Sequence, residues 1–148
     1  MGVNRRAEPP EPVQGCPLFP LGTPLSGEAA KAFSGQAYVY RMPGSGVSIS
    51  HVTFAPACRN NWHIHHGDGQ TLLVTSGDGW YQEEGQPARH LMPGDVVAIP
   101  VGVKHWHGAG KDGWFSHLAV KPNVEGAWCE WLEPVSAAAY DSLGQTRG

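Results

Sequence analysis

The chain has 148 residues and a formal net charge of −3 at pH 7. This length suits one domain that buries its own hydrophobic core. It carries no long basic tract, which argues against a nucleic-acid partner. It has no apolar run long enough to span a membrane or to serve as a signal peptide, so we expect a cytoplasmic protein without membrane partners. Its 20 glycines and 13 prolines are spread along the chain, which favours short elements joined by tight turns and hence an all-β fold.

The elements are predicted in chain order as follows. Residues 1–20 form an extended arm rich in proline and glycine, because proline is excluded from helix interiors and central strands, and residues 21–148 form the domain. Ser26 caps a short helix, GEAAKAF, that Gly35 stops, and Ser136 caps a final helical turn, AAAYDSL. Between them, turn sequences separate strand-length runs, a spacing typical of a closed sandwich or barrel. The runs are QAYVYRM, VSISHVTF, QTLLVTS, GWYQEE, DVVAIP, WFSHLAV and WCEWLEPV.

Eight histidines are present, and the placement of four of them is informative. His63 and His65 are two residues apart, so in a strand both imidazoles point to the same face and can reach one ion. About 40 residues later, His105 and His107 share a face in the same way. An imidazole from a distant strand is what a closed metal site needs, because one hairpin cannot surround an ion. Gln70 opens the next strand on the face of Leu72 and Val74 and can point inward.

Two segments together resemble the cupin superfamily. HIHHGDGQTLLVTSG resembles its first motif, and GDVVAIPVGVKH resembles its second, a glycine, five residues and then PxGxxH. The resemblance covers about residues 60–108. It implies a double-stranded β-helix, or jelly-roll, barrel that is commonly a homodimer. It also implies one divalent metal ion held by His63, His65, Gln70 and His105, with glutamine where glutamate is usual.

The longer segment WHIHHGDGQTLLVTSGDGW, with KHWHGA, HLAV and WLEPVS, is similar to small manganese cupins that include bacterial hydroxynitrile lyases and to cupins associated with carboxymuconolactone decarboxylases. This resemblance implies manganese, with iron, zinc or nickel as alternatives, and a small-molecule substrate. It also implies that His117 is the general base. One extra residue between His65 and Gln70 departs from the lyase pattern.

A ligand set of three imidazoles and one amide is neutral, so it leaves the charge of the ion uncompensated and makes the ion a stronger Lewis acid. We therefore expect a metal-dependent lyase for a small hydroxylated substrate, with His117 as the base and His107 orienting the substrate or supporting a ligand. Two alternatives stay open, an iron-dependent dioxygenase and a non-catalytic small-molecule-binding cupin. The six tryptophans are expected to form packing and dimer contacts. The three cysteines, Cys16, Cys58 and Cys129, are expected to be reduced thiols.

Overall fold

A computed structural model describes residues 18–144 of the chain. Nearly all its regular structure is β, as predicted, and two short helices flank the strands. The predicted arm over residues 1–20 falls mostly outside the described range, and so does Cys16. Neither helix of the described part has the length and apolar character needed to cross a membrane.

Residues 18–144 form thirteen strands and two helices. In chain order they are β1 (Thr23–Pro24), α1 (Gly27–Ala30), β2 (Phe33–Ser34), β3 (Ala37–Met42), β4 (Val47–Phe54), β5 (Arg59–Asn60), β6 (His63–His66), β7 (Gln70–Gly77), β8 (Gly79–Glu83), β9 (Arg89–Leu91), β10 (Val96–Ile99), β11 (His105–Ala109), β12 (Phe115–Pro122), β13 (Trp128–Trp131) and α2 (Ala137–Asp141).

The strands form two antiparallel sheets. One has the order β1-β3-β4-β12-β7-β10. In the other, β11 pairs with β5 and β6 on one side and with β8 on the other, while β2 and β13 extend the edge beyond β5 and β6. Apolar side chains of both sheets form a shared core that includes Phe54, Leu72, Leu91 and Phe115. The two sheets therefore form the barrel that the resemblance implied.

The two helices differ in how well they follow the prediction. Ser136 caps α2 as expected, since its Oγ accepts a hydrogen bond of 3.1 Å from the Ala139 N–H. The first helix is shorter than predicted, because it ends at Ala30 and Phe33 instead enters β2, where it pairs with Asn60 of β5. Joining the sheet buries part of Phe33 against Phe54, a contact that a helix over GEAAKAF would not make.

Candidate metal centre

Three imidazoles converge at one end of the barrel core. His63 and His65 alternate with Ile64 along β6 and point inward, and His105 of β11 pairs directly with His63 across the sheet. One ring nitrogen from each lies within 4.8 Å of the corresponding nitrogens of the other two, and all three residues are buried. The structure thus brings together the three histidines that the two motifs singled out.

Backbone carbonyls orient two of these rings. His63 Nδ1 lies 2.8 Å from the Asn61 carbonyl oxygen, and His105 Nδ1 lies 2.8 Å from that of Val103. A carbonyl oxygen only accepts, so each Nδ1 carries the hydrogen and each Nε2 keeps a free lone pair. This is the state in which imidazole binds a metal ion.

The electrostatics of the cluster keep these rings neutral. Burial, together with the nearby His105, lowers the pKa of His63 to about 3. Burial also lowers the pKa of His105 to about 4. For His65, burial lowers the pKa, and the neighbouring Asp68 carboxylate opposes this effect. Three neutral imidazoles that lie this close together, with no hydrogen bond between them, can bind a cation.

Unpartnered nitrogens support the same interpretation. His105 Nε2 and both ring nitrogens of His65 are buried and have no hydrogen-bond partner within residues 18–144. Buried polar atoms without partners are costly and uncommon in folded proteins, so these atoms fit a group that they would contact. A divalent metal ion would satisfy His105 Nε2 and one of the two His65 nitrogens, and the residues present therefore fit the ion that the resemblance implied.

Gln70, the predicted fourth ligand, lies next to His65. It is the first residue of β7, pairs with Ile99 of β10, and shares its face with the buried Leu72 and Val74. Its side chain reaches the imidazole of His65, where it raises the pKa of that ring slightly against the larger effect of burial. The register after the turn therefore keeps Gln70 on the inward face despite the extra residue.

A hydrogen-bonded chain runs from Asn60 through His107 to His117. The His107 backbone N–H donates to Asn60 Oδ1 at 2.9 Å, so the Asn60 amide nitrogen is the atom that lies 3.1 Å from His107 Nε2. The amide N–H donates to Nε2, which leaves the hydrogen of the neutral ring on His107 Nδ1. That Nδ1 lies 3.1 Å from His117 Nε2 and donates to it. Asn60 thereby sets the tautomer of both rings.

His107 and His117 are fully enclosed. Burial lowers the pKa of His117 to about 3, and burial together with the adjacent His117 lowers the pKa of His107 well below its usual value. The ring centroid of His107 is 5.8 Å from that of His63 and 4.8 Å from that of His117. His107 therefore lies between the His63–His65–His105 cluster and His117.

An aromatic row leads outward from these rings. The centroid of Phe54 is 5.5 Å from that of His117, Phe33 is 5.9 Å from Phe54, and Trp131 is 6.1 Å from Phe33. Trp131 pairs with His63 in the sheet, its ring is 4.6 Å from that imidazole, and 46% of its surface is exposed. The row therefore joins the surface to the interior along the His63 side of the cluster.

Three residues around the cluster were not found from the sequence. Asn60 is buried and holds His107, Asp68 is buried beside His65, and Trp131 covers His63 although the tryptophans were assigned to packing and dimer contacts. The only sequence signal was the extra residue before Gln70, in the turn that contains Asp68. The other two depend on how β5 and β13 pair with their neighbours, which the local pattern does not show.

Comparison with known proteins agrees with this geometry. The family profile described as "Cupin domain" matches residues 50–120. The (R)-mandelonitrile lyase of Granulicella tundricola is 44% identical over 94 residues, which are 64% of this chain and 71% of that protein. A cupin-like protein from Thermotoga maritima is 36% identical with a TM-score of 0.79, and the match covers 88% of this chain and 98% of that one.

A more distant structure is that of a predicted oxalate decarboxylase, also from Thermotoga maritima, which is 17% identical with a TM-score of 0.61. The match covers 69% of this chain and 93% of that one. At this identity the likeness shows the barrel alone. The reaction has to be argued from the side chains of the site.

Proposed function

Because the chain belongs to the cupin family, we propose that it is a metal-dependent carbon–carbon lyase that cleaves a small α-hydroxynitrile into an aldehyde or ketone and hydrogen cyanide. The observation that carries the proposal is the cluster of three neutral imidazoles with lone pairs available at His63 and His105, next to the second pair His107 and His117. The match to an (R)-mandelonitrile lyase supports the choice of reaction.

His63, His65 and His105 would hold the ion, and Gln70 would supply the fourth ligand atom. Manganese is the metal that we propose, from the resemblance to manganese cupins. A divalent ion bound by neutral ligands supplies Lewis acidity, which favours loss of a proton from a substrate hydroxyl. The buried and partly aromatic surroundings exclude bulk water from this chemistry.

His117 would accept the hydroxyl proton at Nε2 once the hydrogen bond that His107 donates to this atom in the resting protein has opened. Burial lowers the pKa of His117 to about 3, which keeps the ring in the accepting form but makes it a weak base, so the hydroxyl must itself be strongly acidified. As the C–C bond breaks, its electron pair leaves with cyanide and the hydroxyl oxygen becomes the carbonyl oxygen. The proton then moves from His117 to cyanide, which gives hydrogen cyanide and returns His117 to its neutral form.

Trp131 and Phe33 would contact the organic substituent of the substrate. They lie on the His63 side of the cluster, and Trp131 is half exposed. Aromatic side chains favour stacked or edge-on contact with another ring. The homodimer expected from the family resemblance and the cytoplasmic location stay predictions.

The test combines metal content with turnover. The protein, stripped and reloaded with Mn²⁺, should carry about one ion per chain and release benzaldehyde from mandelonitrile. His63→Ala and His105→Ala should lose both properties. His117→Ala should keep the ion but lose on the order of 10²- to 10⁴-fold in rate, as expected for a general base.

A matched control is His90→Ala, which removes a half-exposed imidazole paired with Asp78 away from the cluster. It should change neither property. Metal uptake without any cleavage of hydroxynitriles would reject the lyase and favour an oxygenase, to be checked by oxygen uptake, or a non-catalytic binding protein. No uptake under any loading would reject the metal centre itself.

A further inference from the structure

Asp68 is a carboxylic acid buried beside the metal centre. It lies in the turn between β6 and β7, and only 4% of its surface is exposed. Its Oδ1 is buried and finds no hydrogen-bond partner within the described part of the chain. Acidic side chains are almost never buried to this extent without a partner, so this carboxylate requires an explanation.

The turn itself directs Asp68 inward. Gly67 has a φ of +87°, in the left-handed region that favours glycine. A Cβ at Gly69 would come within 2.9 Å of the Ile99 carbonyl oxygen, so only glycine fits this close approach to β10. The Gly102 N–H also donates to the His65 carbonyl at 2.9 Å and ties the start of the turn to the next loop. Two glycines with separate geometric roles therefore flank one buried acid.

The surroundings of Asp68 point to His65 as the group it serves. Asp68 Oδ1 lies 3.9 Å from His65 Nδ1, and Oδ2 lies 3.9 Å from the ammonium of Lys121. Neither distance is a hydrogen bond. Lys121 is 41% exposed at its side chain, so solvent screens much of its charge. His65, in contrast, is buried, and neither of its ring nitrogens has a hydrogen-bond partner within residues 18–144, although the side chain of Gln70 approaches the ring.

We propose that Asp68 is a positioning residue of the metal centre. With the ion bound, Asp68 Oδ1 would close the 3.9 Å gap to His65 Nδ1 and accept its hydrogen, so that Nε2 of that ring faces the ion. It also supplies the negative charge that three imidazoles and Gln70 lack. The other two ligands have backbone carbonyls in this role, from Asn61 and Val103, and within residues 18–144 no carbonyl accepts from His65. The inference rests on the metal centre of the proposed function but not on its lyase reaction.

In this proposal the extra residue between His65 and Gln70 has a structural role. It lengthens the turn enough to bury a carboxylate while Gln70 keeps its inward face. Carboxylate–histidine–metal arrangements of this kind fix the tautomer of the ring and raise its basicity. The centre then carries an anionic partner outside its ligands, which compensates the ion while the ligand set itself stays neutral.

The experiment measures metal affinity by competition with a chromophoric chelator, independent of any turnover. Asp68→Ala should weaken Mn²⁺ binding about 10- to 100-fold. Asp68→Asn keeps an oxygen that accepts from Nδ1–H but loses the charge, so it should weaken binding less. Asp78→Asn removes the same charge from a half-exposed pair with His90 and should leave affinity within about twofold.

Thermal unfolding of the metal-free proteins separates positioning from simple structural support. Because Oδ1 of the buried carboxylate has no hydrogen-bond partner within the described residues, Asp68→Asn should unfold at the same or a higher temperature than the parent. Equal metal affinity in the parent and both Asp68 variants would overturn the inference, as would a lower unfolding temperature that accounts for the weaker binding. Weaker binding in these variants without any lyase activity would uphold the inference and reject the lyase alone.

Discussion

Acid should unfold the metal-free protein far more readily than its net charge suggests. The buried imidazoles of His63, His105 and His117 have pKa values of about 3, 4 and 3, against 6.5 for an exposed ring. Unfolding exposes them, so the unfolded chain binds more protons than the folded one at every pH between these values. The sign follows directly: their contribution to stability is present above pH 6.5 and is lost as pH falls toward 3.

The magnitude follows from the linkage relation. Between pH 7 and pH 5 each of these three rings should remove about 2 kcal/mol from the free energy of unfolding, or about 6 kcal/mol together. The free energy of unfolding of a small domain is about 5–15 kcal/mol, so the metal-free protein should be close to unfolding at pH 5. His107, whose pKa is also strongly lowered, adds to the effect.

The assay is urea unfolding of the metal-free protein at pH 7, 6 and 5, followed by tryptophan fluorescence. His117→Gln removes one titrating ring and should reduce the loss between pH 7 and 5 by about 2 kcal/mol. The reasoning is refuted if stability at pH 5 stays within about 1 kcal/mol of that at pH 7, or if His117→Gln keeps the parent slope.

Two further predictions concern residues around the cluster. Asn60→Asp replaces an amide donor by an acceptor, so His107 Nε2 should become protonated and stop Nδ1 from donating to His117. Long-range ¹H–¹⁵N spectra of the imidazoles should show this change, and unchanged ring shifts would contradict it. Trp131→Ala should lower kcat/KM for mandelonitrile about 2- to 10-fold, the worth of an aromatic pair, but not for an aliphatic hydroxynitrile. Trp128→Ala, on the opposite face of the same strand, is its control, and an equal loss for both substrates would count against an aryl contact.

The strands and the shared face of His63 and His65 could be predicted because alternation in a strand is local. Two imidazoles at i and i+2 point the same way whatever the rest of the chain does. The placement of His105 beside His63 also follows from the order of the two motifs, once a barrel is assumed. These parts of the site depend little on which distant strands pair with one another.

The remaining parts depend on register and on turn geometry. Trp131 lies beside His63 only because β13 pairs with β6 in one particular alignment, and a shift of one residue would exchange it with its neighbours. Asp68 is buried because two flanking glycines allow a close turn, and its composition alone predicts an exposed loop. The first helix was predicted too long because Phe33 pairs with Asn60 in the sheet, and the local pattern of GEAAKAF does not show this long-range pairing.

The register between β13 and β6 also gives the two sides of the site different side chains. It places Trp131 beside His63 and Cys129 beside His65, and burial raises the pKa of Cys129 to about 11, which keeps it a neutral thiol and a poor metal ligand. Asp68 also lies on the His65 side, so one wall of the site is aromatic and the other carries charge. A substrate with an aryl group on one side of its hydroxyl carbon can contact the aromatic wall and present its hydroxyl to the base in one orientation only. The pairing of β13 with β6 thus makes the two walls of the site different. We therefore expect the reaction proposed for this chain to prefer one enantiomer.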